Sequence, residues 1–341
     1  MFQVASIPLA ILMCIVTMFC WGSWANTQKL ASKDWRFQLF YWDYCIGVLV
    51  LTLVFALTLG SMGESGRGFL EDLKQASLTS LGYAFLGGVV FNIANILLVA
   101  AIDIAGMAVA FPVGIGLALV IGVVTNYWRD VANNTGQEAA VNPFILFTGV
   151  ALVAAAIVVN ALAYRRITGA GQATTVKGIA LSIVCGVLMG FFYPLVTASM
   201  NSEDAARAVL TPYTALVFFS LGLFLSSFVF NVAVMKWPFK GEPVPMSDYF
   251  RKGTPWLHAV GILGGAIWGV GMSFNIVASD VATPAVAYGL GQGATMVAAL
   301  WGVFIWKEFK NAAPGTNRLL ALMFVLFVAG LGLIIYTKVG Q

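Results

Sequence analysis

Apolar positions in this chain run in long, nearly unbroken stretches, not at the 3.6-residue or 2-residue spacing of a half-buried helix or strand. Ten stretches fall near 7–27, 37–60, 81–102, 104–127, 142–164, 178–200, 210–235, 256–279, 284–306 and 318–337. A hydrocarbon core about 30 Å thick is crossed by roughly 20 helical residues at about 1.5 Å rise each. Inside that core backbone amides find no water, and a helix satisfies them within one segment. The pattern predicts an all-α polytopic membrane protein with ten transmembrane helices.

Composition agrees: 60% of the 341 residues are hydrophobic and 9% charged, against about 25% charged in soluble domains. Glycine and proline inside the stretches are tolerated where membrane helices pack on one another. The Tyr193-Pro194 step is expected to interrupt the sixth stretch.

The charges carry the topology. Thirteen of the eighteen Lys and Arg fall on one side: Lys29, Lys33, Arg36, Arg165, Arg166, Lys177, Lys236, Lys240, Arg251, Lys252, Lys307, Lys310 and Arg318. The other side holds five: Arg67, Lys74, Arg129, Arg207 and Lys338. Basic loops mark the cytoplasmic face, so both termini are expected outside the cytoplasm, in a cell membrane (the inner one in a Gram-negative cell). The start, Met1-Phe2-Gln3-Val4, lacks a basic n-region, so the first stretch is read as a retained helix. The net charge of +4 follows from this loop bias and forms no aromatic-interleaved patch for nucleic acid. Cys14, Cys20, Cys45 and Cys185 lie within apolar stretches and read as small buried hydrophobes, with no disulfide framework or metal site. His258, the one histidine, reads first as a polar interfacial residue and second as a proton relay. Neither a P-loop nor a familiar hydrolase or thiol motif occurs, so no cofactor is expected and an enzyme is disfavoured.

The chain also repeats itself. Shifted by 177 positions, Gly87-Gly88 meets Gly264-Gly265, Asp103 meets Asp280, and Gly114 and Gly116 meet Gly291 and Gly293. One gap later Trp128-Arg129-Asp130 meets Trp306-Lys307-Glu308. The expected organisation is a five-helix repeat at 1–164, a central cytoplasmic loop at 165–177, and a second five-helix repeat at 178–341. An odd number of helices inserts the second copy upside down, which gives the inverted repeats of many secondary transporters. Two such halves can rock about a site near the membrane midplane.

Polar groups in hydrocarbon need a partner, a cavity or a solute. Asp43 lies about 10 Å into the second stretch by helical rise; it is the candidate proton-coupling residue, with pairing to Lys29 or Arg36 as the structural alternative. Asp103 and Asp280 fall where each could cap the following helix. Trp21 and Trp24 share a face beside Ser23, Asn26 and Thr27; Asn92 and Asn95 share another; Tyr288 and Gln292 share a third. Rings with amides suit a small neutral polar solute, so Trp21, Trp24, Asn26, Asn92, Asn95, Tyr288 and Gln292 form the candidate substrate site. Two other readings stand beside this one, an interfacial aromatic belt for Trp24 and Tyr41 and interhelical hydrogen bonds for Asn92 and Asn95. No cation lies deep in a stretch to hold a phosphate, which favours uncharged solutes.

Four segments carry a family resemblance: Gly22-Ser23-Trp24, Tyr41 to Tyr44, Gly87-Gly88-Val89-Val90 with Asn95, and Trp301-Gly302-Val303 followed by Lys307-Glu308. With ten stretches in two fives, they make the chain resemble the ureide permeases, and next the glucose/ribose uptake permeases, of the drug/metabolite transporter superfamily. It departs at Ala25, where plant members carry Pro, and in 165–177, which lacks their nucleotide-binding-like motif. The resemblance implies proton-coupled import of uncharged compounds such as allantoin or uracil; the sugar branch implies a glucose-, ribose- or rhamnose-type monosaccharide. The expected partners are that solute, a proton or Na⁺, and the bilayer. Hydropathy is silent on direction, so an exporter of metabolites or drugs stays open beside import.

Overall fold

The computed structural model describes residues 1–31, 35–63, 65–133, 141–167, 176–201 and 208–339. Lys33, Arg207 and most of the 165–177 connection lie outside the described residues.

Ten helices are long and apolar enough to cross a membrane: α1 (Ile7–Leu30), α2 (Phe37–Leu57), α3 (Leu78–Ala105), α4 (Phe111–Ala132), α5 (Pro143–Tyr164), α6 (Val176–Met200), α7 (Pro212–Lys236), α8 (Pro255–Ala282), α9 (Pro284–Ile305) and α10 (Thr316–Val339). Their starts are written locally. Asn142 accepts from the amides of Phe144 and Ile145 just ahead of Pro143. Thr254 accepts from the amide of Leu257 ahead of Pro255. Capping oxygens satisfy amides that the first turn leaves open, and proline costs nothing there because its missing N–H would be unpaired anyway. Short helices Phe69–Gln75 and Ser247–Arg251 sit in the loops. Large side chains such as Leu12, Val54, Phe144, Phe228 and Val325 stay exposed on the outer wall, which is where acyl chains replace water around a membrane helix.

Two sequence expectations change. Pro194 lies inside a continuous α6, a placement tolerated where membrane helices pack on one another; the guanidinium of Arg129 donates to its carbonyl and Thr197 bonds back to it. Asp103 and Asp280 fall within the last turns of α3 and α8 rather than at helix starts. The corners after them come from Gly106 and Thr283, which both take positive φ, 74° and 70°.

The sequence halves do not pack as separate bodies. Helices α1 and α2 pack on α8 and α9, whereas α3 and α4 pack on α6 and α7. The two groups meet along α2–α7 and α4–α9, and α5 packs on α10. Helix contacts recur in pairs. A Cβ at Gly88 would strike the carbonyl of Phe219, and one at Gly265 the carbonyl of Tyr44. A Cβ at Gly47 would strike Ile262 and one at Gly222 would strike Phe85. The partners are offset by 177 positions between α3 and α8 and by 175 between α2 and α7. Small residues let these backbones approach closely where lipid offers no hydrophobic drive for association.

Candidate functional site

A cavity of about 540 Å³ lies between the two groups of helices. It is lined at one end by Arg36, Phe239 and Lys240, from the connections α1–α2 and α7–α8, with Asp103 from the last turn of α3, and deeper by residues near the middles of α1, α3, α6, α8 and α9. The cavity therefore opens toward the face of the basic loops. At the rim, Arg36 Nη1 donates to the Glu242 carbonyl at 2.5 Å and Lys240 Nζ to the Asp103 carbonyl at 3.0 Å.

The walls combine three indoles, Trp21, Trp24 and Trp268, with five phenyl rings, Phe37, Phe91, Phe111, Phe192 and Phe239, and five carboxamides, Gln28, Gln38, Asn95, Asn231 and Gln292. Phe91 and Trp268 form the floor, their ring centroids 4.4 Å apart, and Trp21 stacks on Trp268 at 5.9 Å. Two polar atoms of wall residues are buried behind it. Asn231 Nδ2 donates to the Gln38 carbonyl at 2.9 Å, while its Oδ1 is buried with no partner among the described residues. Trp21 Nε1 is buried and equally unpartnered. Both atoms are closed off from the cavity, Trp21 Nε1 against Gly271 of α8.

Of the residues singled out in the sequence, Trp21, Trp24, Asn95 and Gln292 line this cavity. Asn92, Asn26 and Tyr288 stand off its wall. Asn92 is fully buried, accepting from Tyr41 Oη at 3.0 Å and donating to Ser226 Oγ at 2.7 Å; it anchors Tyr41, to whose hydroxyl Asn95 donates at 3.4 Å. Asn26 Oδ1 accepts from Trp306 Nε1 at 2.6 Å, Ser23 Oγ from Trp301 Nε1 at 2.9 Å, and Glu308 pairs with Lys29 at 2.7 Å. These bonds tie the end of α9 to the end of α1. Tyr288 Oη donates to the Met189 carbonyl at 3.0 Å, below the cavity floor. Trp268, Phe91, Gln38 and Asn231 were missed. Each looks like ordinary apolar or helix-end sequence, and only the tertiary arrangement turns them toward one space.

Asp43 does not line the cavity. Its partners are neither Lys29 nor Arg36: Tyr249 Oη donates to Oδ1 at 2.5 Å, and His258 Nδ1 lies 3.0 Å from both carboxylate oxygens. Trp35 packs edge-on to the imidazole at 5.3 Å. Burial and the bond to the carboxylate push the Tyr249 phenol well above the usual tyrosine range, so it stays a donor at any physiological pH. Asp43 is 1% exposed and the His258 side chain 28%, which leaves the imidazole as the group between the buried acid and the basic face. His258 is thus a partner of Asp43, not an isolated interfacial residue.

The segments that carried the resemblance meet in space. The turn Gly22-Ser23-Trp24 is bonded through Ser23 to Trp301 of the Trp301-Gly302-Val303 segment, and Tyr41 is bonded to Asn92 and Asn95 beside Gly88.

The sequence pattern of the ureide permease family matches residues 40–168 and 158–337. Ureide permease 1 of Arabidopsis thaliana is 22% identical over 393 aligned residues, covering 98% of each chain. Ureide permease 5 of the same plant is 22% identical across 95% of this chain and 93% of its own. A probable ureide permease A3 of Vigna unguiculata is 22% identical across 90% and 97%. A solved crystal structure shares the fold at a TM-score of 0.59 and 16% identity, over 97% of this chain and 98% of that one.

Proposed function

The chain belongs to the ureide permease family and is a multi-pass membrane transporter, not an enzyme, and from that premise we propose that it imports a small neutral ureide- or nucleobase-type solute, such as allantoin or uracil, coupled to protons. One observation carries the solute class: five carboxamides and three indoles face one cavity that holds no charge in its depth. A flat oxo-heterocycle presents alternating N–H and C=O groups at its edge, suited to the lining carboxamides such as Gln28, Asn95 and Gln292, and a π-face for the indoles and Phe91. Arg36 and Lys240 at the rim are bonded to main-chain carbonyls, so they fit a mouth better than an anion seat.

The basic loops orient the cavity. With those loops in the cytoplasm and both termini outside, the cavity is open inward and closed outward. Alternation then proceeds by rocking of the α1/α2/α8/α9 group against the α3/α4/α6/α7 group, in a fold of drug/metabolite transporter type with inverted repeats. Asp43, with His258 and Tyr249, is the coupling site: a buried acid reached through an imidazole can take a proton from the basic face.

The test is a thermal-stability screen of the purified protein against ureides, nucleobases and monosaccharides. A ligand at a hundred times its Kd adds about 2.7 kcal/mol when it binds only the folded state. Stabilisation by allantoin or uracil is expected. Stabilisation by a monosaccharide alone would overturn the ureide assignment and move the site to sugars stacked on the indoles.

A further inference from the structure

The outer closure contains a specific contact. The ring of Tyr288, on the first half of α9, lies where a Cβ on Gly122 of α4 would fall, so aromatic ring and bare backbone seal against each other. Tyr288 is fully buried, with Tyr193 at 5.0 Å behind it. This seal lies between the cavity floor and the face opposite the basic loops.

Each half of the chain has a counterpart for both residues. Phe111 stands five positions after the corner at Gly106, and Tyr288 five after the corner at Thr283. The π-turn Phe111–Ile115 then adds one residue to α4, which moves the offset between α4 and α9 to 176. The contacts obey that number: a Cβ at Gly190 would meet the Ala118 carbonyl and Ile121, and a Cβ at Gly22 would meet the Ala294 carbonyl and Val297. On the same offset the counterpart of Gly122 is Ala298. Phe111 and Ala298 both line the open cavity, neither fully buried.

We infer that Phe111 and Ala298 are the gate residues of the opposite transport state, in which Phe111 seals against Ala298 on the basic face as Tyr288 now seals against Gly122. The inference rests on the alternating-access reading. When the halves exchange conformations, the α4–α9 contact leaves one end of the pair and forms at the other. A phenyl ring needs a small partner for close approach, and alanine is next to glycine in size. Phe111 lacks the hydroxyl through which Tyr288 bonds Met189, so the two seals are alike in shape and unequal in polar anchoring.

The experiment uses the full chain in membrane vesicles, with Cys14, Cys20, Cys45 and Cys185 replaced by Ala. Two cysteine pairs are oxidised without added solute: Gly122→Cys with Tyr288→Cys, and Phe111→Cys with Ala298→Cys. The first pair is expected to cross-link at once and the second at least tenfold more slowly, as the minor state is visited. A single Ala298→Trp variant, which the cavity accommodates, should slow labelling of an Asn126→Cys reporter by an impermeant maleimide at least tenfold. A first pair that cross-links beside a second that never does, or equal labelling with and without Ala298→Trp, overturns the gate. Exchange of both locks without uptake of allantoin, uracil or a monosaccharide would sink the solute reading and leave the gate standing.

Discussion

Replacing Asp43 by Asn removes one charge and keeps the side chain's shape. Oδ1 can still accept from Tyr249, and the new amide N–H faces His258 Nδ1, so both contacts persist as neutral hydrogen bonds. Bonds to a charged group contribute about 1.5–3 kcal/mol and neutral ones about 0.5–1.5, so the two exchanges together cost about 2–3 kcal/mol. That is a loss a folded carrier survives, which makes the variant a clean probe of coupling. A gradient of one pH unit is worth about 1.4 kcal/mol per proton, a tenfold accumulation at one proton per solute. In proteoliposomes with that gradient imposed, Asp43→Asn is expected to lose accumulation while keeping solute counterflow, which needs binding and alternation but no proton. Tenfold accumulation by the variant at the same gradient would refute the coupling role. Loss of counterflow as well, in a protein that still melts cooperatively, would put Asp43 in the rocking itself.

The remaining predictions are more local. Asn231→Leu removes a lining carboxamide and its bond to the Gln38 carbonyl; solute affinity by calorimetry should fall roughly 2- to 13-fold, one neutral hydrogen bond's worth, and unchanged affinity would move the solute away from α7. Gly88→Ala and Gly265→Ala each place a methyl on a facing carbonyl, so each should lose about 1–3 kcal/mol in unfolding titrations; a twofold or greater difference would break the equivalence of the two contacts. Tyr288→Phe deletes the bond to Met189 and should shift the inward- to outward-open ratio outward by roughly 2- to 13-fold, read as faster labelling of the Asn126→Cys reporter; slower labelling would contradict the outer-seal role.

The fold was legible because hydrocarbon imposes one rule on every span. Length and unbroken apolarity located all ten helices, and the Gly-Gly and Asp-x₁₀-Gly spacings pointed to paired contacts that Gly88 and Gly265 now show at atomic approach. The site was legible where a polar group stood out against apolar sequence, as Asn95 and Gln292 do. It was illegible where a residue's direction decides its role. Asn92 and Asn95 share a helix face, yet Asn92 turns to Ser226 and Ser227 while Asn95 reaches the cavity. His258 lies 215 positions from Asp43, and no local pattern announces that pairing. Pro194 misled for a related reason: α6 stays continuous through a residue that weakens an isolated helix, because neighbouring helices pack around it.

Packing and chemistry divide differently between the two halves. The glycines that bring helices together are duplicated, Gly88 with Gly265 and Gly47 with Gly222, and so is the aromatic floor, where Phe91 and Trp268 are counterparts at an offset of 177 that touch each other. The polar groups assigned to solute and proton are not. At the same offsets Asn95 answers to Met272, Asp43 to Phe218, His258 to Leu81 and Asn231 to Ala56. On the alternating-access proposal each half takes the other's place in the cycle, so both must offer the same contacts; the duplicated glycines lie within the α2–α8 and α3–α7 pairs and hold each rocking group together. A solute and a proton need one site each, so a polar group kept in both halves would leave an unfilled copy in hydrocarbon at a cost of several kcal/mol, about 2–7 for an amide. Divergence at these four positions is the cheaper arrangement, and it predicts where specificity changes by substitution: at Asn95 and Asn231, without disturbing the glycine contacts that hold each group of helices together.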